Sequence, residues 1–270
     1  LPLAIELAAA RVRVMSPRML LSRMDERFKL LSTGDGRHGR QSTLRATFDW
    51  SWDLLSIPER AALAQLSVFE GGFGLQAAEA VLDLSAFEDP PWPPDALQSL
   101  VDKSFVRRLS GDRFDLLASV QAYAAEHLCS AGRYPGSGPQ AAQAAEARHG
   151  AHYASLDERQ VTAQRSVELD NLVAACRRAR ARGDARTAAQ TLEGAWAGIR
   201  LRGPFSAGLD LVLLVQSMSA LPVALQARVN AVAGRALQAL GRVGEARSHY
   251  ATALGQARQV GDRTREGRLL

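Results

Sequence analysis

The chain has 270 residues, of which 47% are hydrophobic and 23% charged, so it is neither a disordered nor a collagen-like protein. Because it contains 47 alanines and only 6% aromatic residues, the composition predicts a mainly helical fold and excludes a large β-sandwich. The formal net charge of +5 divides into −2 on residues 1–135 and +7 on residues 136–270, so the excess of basic residues lies in the second half.

The cysteine content and the hydropathy pattern indicate the cellular compartment in which the protein works. Only Cys129 and Cys176 are present, which excludes a disulfide framework and a paired CxxC zinc site. No window reaches the run of about 18 apolar residues that a membrane-spanning helix needs, and the N-terminus has no signal-peptide pattern. We therefore expect a cytoplasmic protein with reduced thiols and no membrane partner.

Residues 1–40 combine two apolar helical patterns with a glycine-rich loop. The chain opens on Leu1 inside the first helical pattern, which suggests a piece of a longer protein. The loop contains a GxGxxG sequence at 34–39, but a helix precedes it where a dinucleotide-binding loop would follow a strand. We interpret residues 1–40 as a helical segment that closes an upstream domain.

Residues 41–132 have the element order of a winged-helix domain. An aromatic helical stripe leads to Ser56, where Pro58 and Glu59 complete the signature of a capping box and helix start. Helices are predicted to end at Gly71-Gly72 and to span 75–84 and 95–103. Two short strands then flank a three-residue turn at 110–112.

Residues 133–139 form a predicted linker rich in helix breakers, and only helices follow in residues 140–270. We place these helices at about 140–158, 166–182, 185–201, 205–219, 223–240 and 243–260. Short turns separate them at the regular spacing that is typical of stacked helix pairs. The last pair matches the tetratricopeptide spacing at the following positions: Gly234, Gly241, Ala246, Tyr250 and Ala253. The sequence thus predicts an α-superhelical, tetratricopeptide-like array that is incomplete at its C-terminus.

The sequence offers few residues for catalysis. Lys29 and Lys103 are the only lysines, and neither lies in a GxxxxGK motif, so no Walker A site is present. His149 and His152 are three residues apart on a helix, yet no third metal ligand is placed beside them, and we read them as packed or surface histidines. An enzyme with an unrecognised site is therefore the third of three hypotheses.

Two charged features of the sequence indicate which partners the chain could bind. A run of arginines on one predicted helix is a candidate contact for phosphate or an acidic partner: Arg177, Arg178, Arg180 and Arg182. The candidate recognition helix at 95–103 has acidic residues at both ends and a single lysine, in the net negative half of the chain. We therefore do not expect this winged helix to bind DNA, although a DNA-binding transcription factor remains the alternative hypothesis.

Several segments, taken in order, resemble the bacterial STAND-class (NB-ARC-type) signal-transduction ATPases. Leu1 to Ala4 resemble the end of the GLPLA motif of that family, and residues 168–175 (ELDNLVAA) resemble the start of its tetratricopeptide-like sensor region. The segments similar to its winged helix are 43–56, 66–81, 100–106 and 113–128. The resemblance implies an ATP-dependent switch whose nucleotide is held mainly by an upstream NTPase domain.

The resemblance also implies candidate nucleotide-binding residues. Pro2 corresponds to the proline of the GLPLA motif, which lies near the bound adenine nucleotide. Phe114 stands where the family has a phosphate-contacting histidine, and phenylalanine cannot donate a hydrogen bond. Arg113 and Asp115 are then the remaining wing candidates for binding ATP or ADP when the upstream domain is present.

These observations together predict a regulatory fragment without catalytic residues of its own. In this hypothesis the winged helix is an internal hinge, and the helical array senses a protein or small-molecule ligand on its concave face. Such a ligand must bind two states of the protein with different affinities in order to shift their populations.

Overall fold

The structure is a computed structural model that describes residues 16–22, 48–163, 167–219 and 221–270. Pro2 and the glycine-rich loop at 34–39 lie outside the described residues. The described chain is mainly helical with one small antiparallel sheet, which confirms the predicted fold class. No helix of these residues is both long and apolar enough to cross a membrane.

The elements of the first half are those of a winged helix. The labelled elements of this half are α1 (Pro17–Ser22), α2 (Ile57–Leu66), β1 (Phe73–Gly74), α3 (Leu75–Val81), α4 (Pro93–Asp102), β2 (Val106–Arg108), β3 (Arg113–Leu116) and α5 (Ala118–Cys129). Residues 48–53 form a helix without a label of its own, between α1 and α2.

The elements of the second half are all helical. They are α6 (Pro139–Ser155), α7 (Glu158–Ala163), α8 (Leu169–Ala181), α9 (Ala185–Arg202), α10 (Phe205–Gln216), α11 (Val223–Ala239), α12 (Val243–Gln259) and α13 (Arg263–Leu269). From α8 onward consecutive helices pack against one another, with the most extensive pairings between α8 and α9 and between α11 and α12, whereas α7 packs against α9. Six of these helices match the predicted spans within a few residues, whereas the short helix α7 was not predicted. The proposed domain boundaries at 40, 132 and 139 stay predictions.

The predicted capping box starts α2. Ser56 accepts from the Glu59 amide, and the Glu59 carboxylate accepts from the Ser56 amide at 2.7 Å. Glu59 also accepts from Ser99 and Lys103, which ties the start of α2 to α4. Burial acts to raise the pKa of Glu59, but these hydrogen bonds outweigh it and lower the pKa to about 2.

The sheet contains one strand more than the predicted hairpin. β3 lies in the centre, with β2 and β1 antiparallel on either side, and Phe73 pairs with Phe114. β1 has only two residues, so it leaves no alternation in the sequence by which it could be predicted.

The predicted helix 75–84 ends early, at Val81. The side-chain amide of Gln65 donates to the carbonyl of Asp83 (2.9 Å) and accepts from its amide (2.8 Å). These two bonds hold Asp83 in a non-helical conformation against α2.

The last helix pair shows why a small and a large residue recur at this spacing. A Cβ atom at Gly234 on α11 would lie 2.6 Å from the ring of Tyr250 on α12. The small Ala246 and Ala253 are buried on the same helix. Gly234 thus lets the tyrosine ring lie against the backbone of the neighbouring helix.

We expect Gly234→Ala to destabilise the chain by about 1–3 kcal/mol, because the added methyl group must displace the Tyr250 ring. Gly255→Ala is the matched control: it lies within α12 with open space around it, and should stabilise the chain by about 0.5–1 kcal/mol through helix propensity. Urea unfolding measures both changes. Equal effects of the two substitutions would contradict the packing argument.

Candidate functional site

The loop that follows α2, residues 67–72, lies between the wing and the helical array, and most of its residues are buried. Its backbone carbonyl groups are not paired in a regular sheet or helix, and three side chains from two helices, α5 and α8, satisfy them instead. The donors are Gln121 (to Phe69 O, 2.7 Å), Arg178 (to Val68 O, 2.5 Å) and Asn171 (to Gly72 O, 2.7 Å). A buried carbonyl without such a partner would cost about 1–3 kcal/mol.

Two glycines let this loop approach its neighbours. Gly71 and Gly72 have φ angles of +72° and +86°, in the left-handed region that favours glycine. A Cβ at Gly71 would lie 2.7 Å from the Asp170 carboxylate, and one at Gly72 would lie 2.9 Å from the Phe114 carbonyl oxygen. The loop therefore contacts both α8 and β3 closely enough to exclude a side chain.

Asn171 on α8 is the centre of this junction and is fully buried. Its carbonyl oxygen accepts from the Glu70 amide (2.7 Å) and lies 3.2 Å from Nε2 of His149. Its amide nitrogen donates to the carbonyl of Gly72 and to Glu168 at 3.0 Å. One side chain thus joins the loop to two helices of the array.

Glu168, just before α8, connects the same network to the wing. Its carboxylate forms an ion pair with Arg113 of β3 and accepts from the hydroxyl group of Tyr153 at 2.9 Å. The exposed fractions of the Arg113 and Glu168 side chains are 17% and 8%, so the pair is largely shielded from water. Removing one partner of such a pair leaves an uncompensated charge, whereas an exposed pair contributes little.

Burial changes the ionisation of the histidine and tyrosine at this junction. Loss of solvation lowers the pKa of His149 to about 3, and the nearby Arg178 cation adds to the effect. Loss of solvation also raises the pKa of Tyr153, and the Glu168 charge acts in the same direction. Both side chains are therefore neutral at pH 7.

The wing residues predicted to bind nucleotide have other partners. Arg113 pairs with Glu168, and Asp115 pairs with Arg107 at 2.6 Å. The Phe114 ring stacks on Phe73, with ring centroids 6.0 Å apart. In this arrangement the described wing residues do not present a free cation to a phosphate group. A role of Arg113, Asp115 and Pro2 in binding ATP or ADP stays a prediction that requires the upstream domain.

The four arginines of the run, three on α8 and Arg182 directly after it, have different surroundings. Arg178 contacts the loop and also pairs with Glu70 (3.3 Å), while Arg182 pairs with Glu146 (3.2 Å). Arg180 reaches Ser217 on the opposite side, and Arg177 is exposed. Two members of the run thus pack within the chain, and partner binding by the run stays a prediction.

Sequence reasoning alone missed the residues at the centre of the junction. Glu168 and Asn171 lie in the segment 168–175, which was identified only as a resemblance. His149 and Tyr153 lie one helical turn apart on α6 and are both buried, as expected of packed rather than metal-binding residues. Among the described residues, no group of three or more His, Cys, Asp or Glu side chains could hold a metal ion.

The low pKa of His149 predicts a loss of stability in mild acid. The unfolded chain takes up a proton at this residue below about pH 6.5, whereas the folded chain resists doing so until about pH 3. The free energy of unfolding should therefore fall by about 1.4 kcal/mol per pH unit within this window, or roughly 2 kcal/mol from pH 6.5 to 5.

Urea unfolding of His149→Gln tests this, because the variant should lose most of that slope. His249→Gln, which removes a histidine from α12, is the control and should keep it. An unchanged slope in His149→Gln would show that other groups cause the acid sensitivity.

Comparison with known proteins finds relatives of the chain among bacterial regulators. It is 36% identical, over 97% of its length, to a protein of Mycobacterium tuberculosis (strain H37Rv) named provisionally as an HTH-type transcriptional regulator. An uncharacterised protein of the same strain is 44% identical over 48% of the chain. The regulatory protein AfsR of Streptomyces griseus is 34% identical over 46% of the chain.

These matches cover only part of each relative: 31% of the HTH-type regulator, 34% of the uncharacterised protein and 12% of AfsR. The chain thus spans about a third of the length of the curated relatives it matches first. No family model matches it, and no solved structure matches it significantly. The relatives with assigned names are regulators rather than enzymes, in agreement with the non-enzymatic role predicted from the sequence. Over nearly its whole length, the chain is similar to bacterial transcriptional regulators.

Proposed function

We propose that the chain is the regulatory part of a STAND-type transcriptional regulator. In this proposal the winged helix is an internal hinge element that does not read DNA, and the helical array senses a ligand or partner. The observation that carries the proposal is the buried junction, in which Arg113 of the wing pairs with Glu168 at the start of the array.

The junction supports a signalling role because it links the array to the wing by directional bonds. Asn171 bonds to both sides of the loop at Glu70 and Gly72, and Arg178 bonds to Val68. A change in the position of α8 must therefore move the loop and β3 with it, or break buried hydrogen bonds. A ligand that shifts α8 would in this way displace the wing from its contacts with an upstream NTPase domain.

The surface of α4 supports the view that the winged helix does not read DNA. Its exposed positions are Asp95, Gln98 and Asp102, which follow one another at helical spacing. Lys103 at its end is held by Glu59 at 2.6 Å. Phosphate groups would therefore meet carboxylates on the face that a recognition helix presents to the major groove.

The wing hairpin supports the same conclusion. Arg107 pairs with Asp115, and Arg108 pairs with Asp112 at 2.7 Å. Each cation that could lie on the DNA backbone is thus matched by a carboxylate of the same hairpin. DNA binding by the parent protein would then belong to a part of it outside this chain.

The alternative function is DNA binding through this winged helix, and the HTH-type name of the relative favours it. Fluorescence anisotropy with random-sequence duplex DNA separates the two functions. We expect no saturation up to about 10 µM chain at about 50 mM salt, because the acidic face of α4 repels the phosphates. Binding tighter than about 1 µM that weakens steeply toward about 200 mM salt would favour the DNA-reading function instead.

A further inference from the structure

The helical array contains a partly open cavity of about 1100 Å³. Its walls come from the end of α6, from α7 and α9, and from α11, α12 and α13. Ligand-binding cavities of proteins commonly enclose about 300–1000 Å³. The cavity is therefore large enough for a small organic molecule, and residues far apart in the chain form it together.

Arginine is the dominant side chain of this cavity. Six line it: Arg159, Arg200, Arg228, Arg235, Arg265 and Arg268. Only three carboxylate side chains accompany them, those of Asp157, Glu158 and Glu193. We call this site the arginine cavity, and its lining side chains carry an excess of positive charge.

The glutamates are each shared between two arginines. Glu158 lies 3.1 Å from Arg200 and 3.9 Å from Arg235. Glu193 lies 2.8 Å from Arg265 and 3.1 Å from Arg228. Arg265 also lies 3.4 Å from Asp262. Three negative charges, those of Glu158, Glu193 and Asp262, thus face the four positive charges of these groups, and one positive charge is uncompensated.

Two further arginines of the cavity add to this excess of positive charge. Arg159 and Arg268 are exposed to the cavity and make no ion pair with any other described residue. Asp157 accepts from the Gln160 amide at 2.7 Å and so caps α7. The wall thus presents guanidinium groups from four helices with too few anions of the protein's own to match them.

The surroundings of Arg235 strengthen the attraction for an anion. Partial loss of solvation lowers the pKa of Arg235, whose side chain is about one-third exposed. A concave surface lined by one sign of charge and partly shielded from water focuses its electric field on the enclosed space. Guanidinium groups bind phosphate and carboxylate groups through paired hydrogen bonds.

We propose that the arginine cavity binds a small organic or inorganic anion with two or more negative charges, carried by phosphate or carboxylate groups. This inference rests on the proposed sensor function of the array and assigns a chemical class to its ligand. The enclosed volume favours a small molecule, and the shared glutamates provide arginines that can turn from a glutamate to the ligand.

Isothermal titration calorimetry with the chain tests this, using tripolyphosphate as the phosphate probe and citrate as the carboxylate probe at about 150 mM salt. We expect saturable binding of at least one probe. The double variant Arg159→Gln/Arg268→Gln should weaken it by about tenfold or more, because two charged hydrogen-bond donors are lost. Its urea midpoint should equal that of the unaltered chain, since neither arginine is paired.

The matched control is Arg186→Gln/Arg247→Gln, which removes two exposed arginines that do not line the cavity. It lowers the net charge equally and should change the affinity less than about twofold, because long-range attraction is screened at this salt concentration. Binding of tripolyphosphate alone would assign a phosphate ligand, and binding of citrate alone a carboxylate ligand.

Two outcomes would overturn the proposal: no saturable binding of either probe, or an equal loss of affinity in both double variants. Neither outcome affects the internal-hinge proposal, which the DNA titration tests separately. The anion titration and the DNA titration therefore separate the failure of the ligand class from the failure of the function.

Discussion

The structure depends on one constraint: the polar backbone of residues 67–72 is largely buried where the wing meets the array, and its buried groups must be hydrogen-bonded there. The loop cannot form these bonds within itself, so Asn171, Arg178 and Gln121 supply them from α8 and α5. If α8 separated from the wing, several buried groups would lose their partners at once. The winged helix and the first helices of the array therefore form one packed unit.

This arrangement determines which parts of the molecule could move if the winged helix acts as an internal hinge. The Arg113–Glu168 pair and the Asn171 bonds resist motion between β3 and α8, so the mobile boundary must lie elsewhere. In the proposed function, the wing and the start of the array turn together against the upstream domain. The ligand would act on the far end of this unit, where α7, α9, α11 and α13 meet around the arginine cavity. Binding there can alter how the helices of the array stack and so shift the orientation of α8.

The sequence predicts the elements of this fold well, because their signals are local. The capping box at Ser56, the wing hairpin and most helix boundaries each depend on residues within a few positions of one another. The junction was not predictable in this way, because Glu70 and Asn171 are 101 positions apart. The arginine run on α8 shows the same limit. Only the rotation of the helix decides that Arg178 packs within the chain while Arg177 faces solvent.

The coupling between wing and array is measured most directly by a double-mutant cycle on Arg113 and Glu168, with urea unfolding of Arg113→Ala, Glu168→Ala and the double variant. We expect a coupling free energy of about 2 kcal/mol or more, because each single variant leaves a buried charge that the double variant removes. The exposed pair Arg242 and Glu245, 2.6 Å apart, provides the control cycle and should give no measurable coupling, because water screens the two charges. Additive effects at Arg113 and Glu168 would contradict the claim that this buried pair joins the wing to the array.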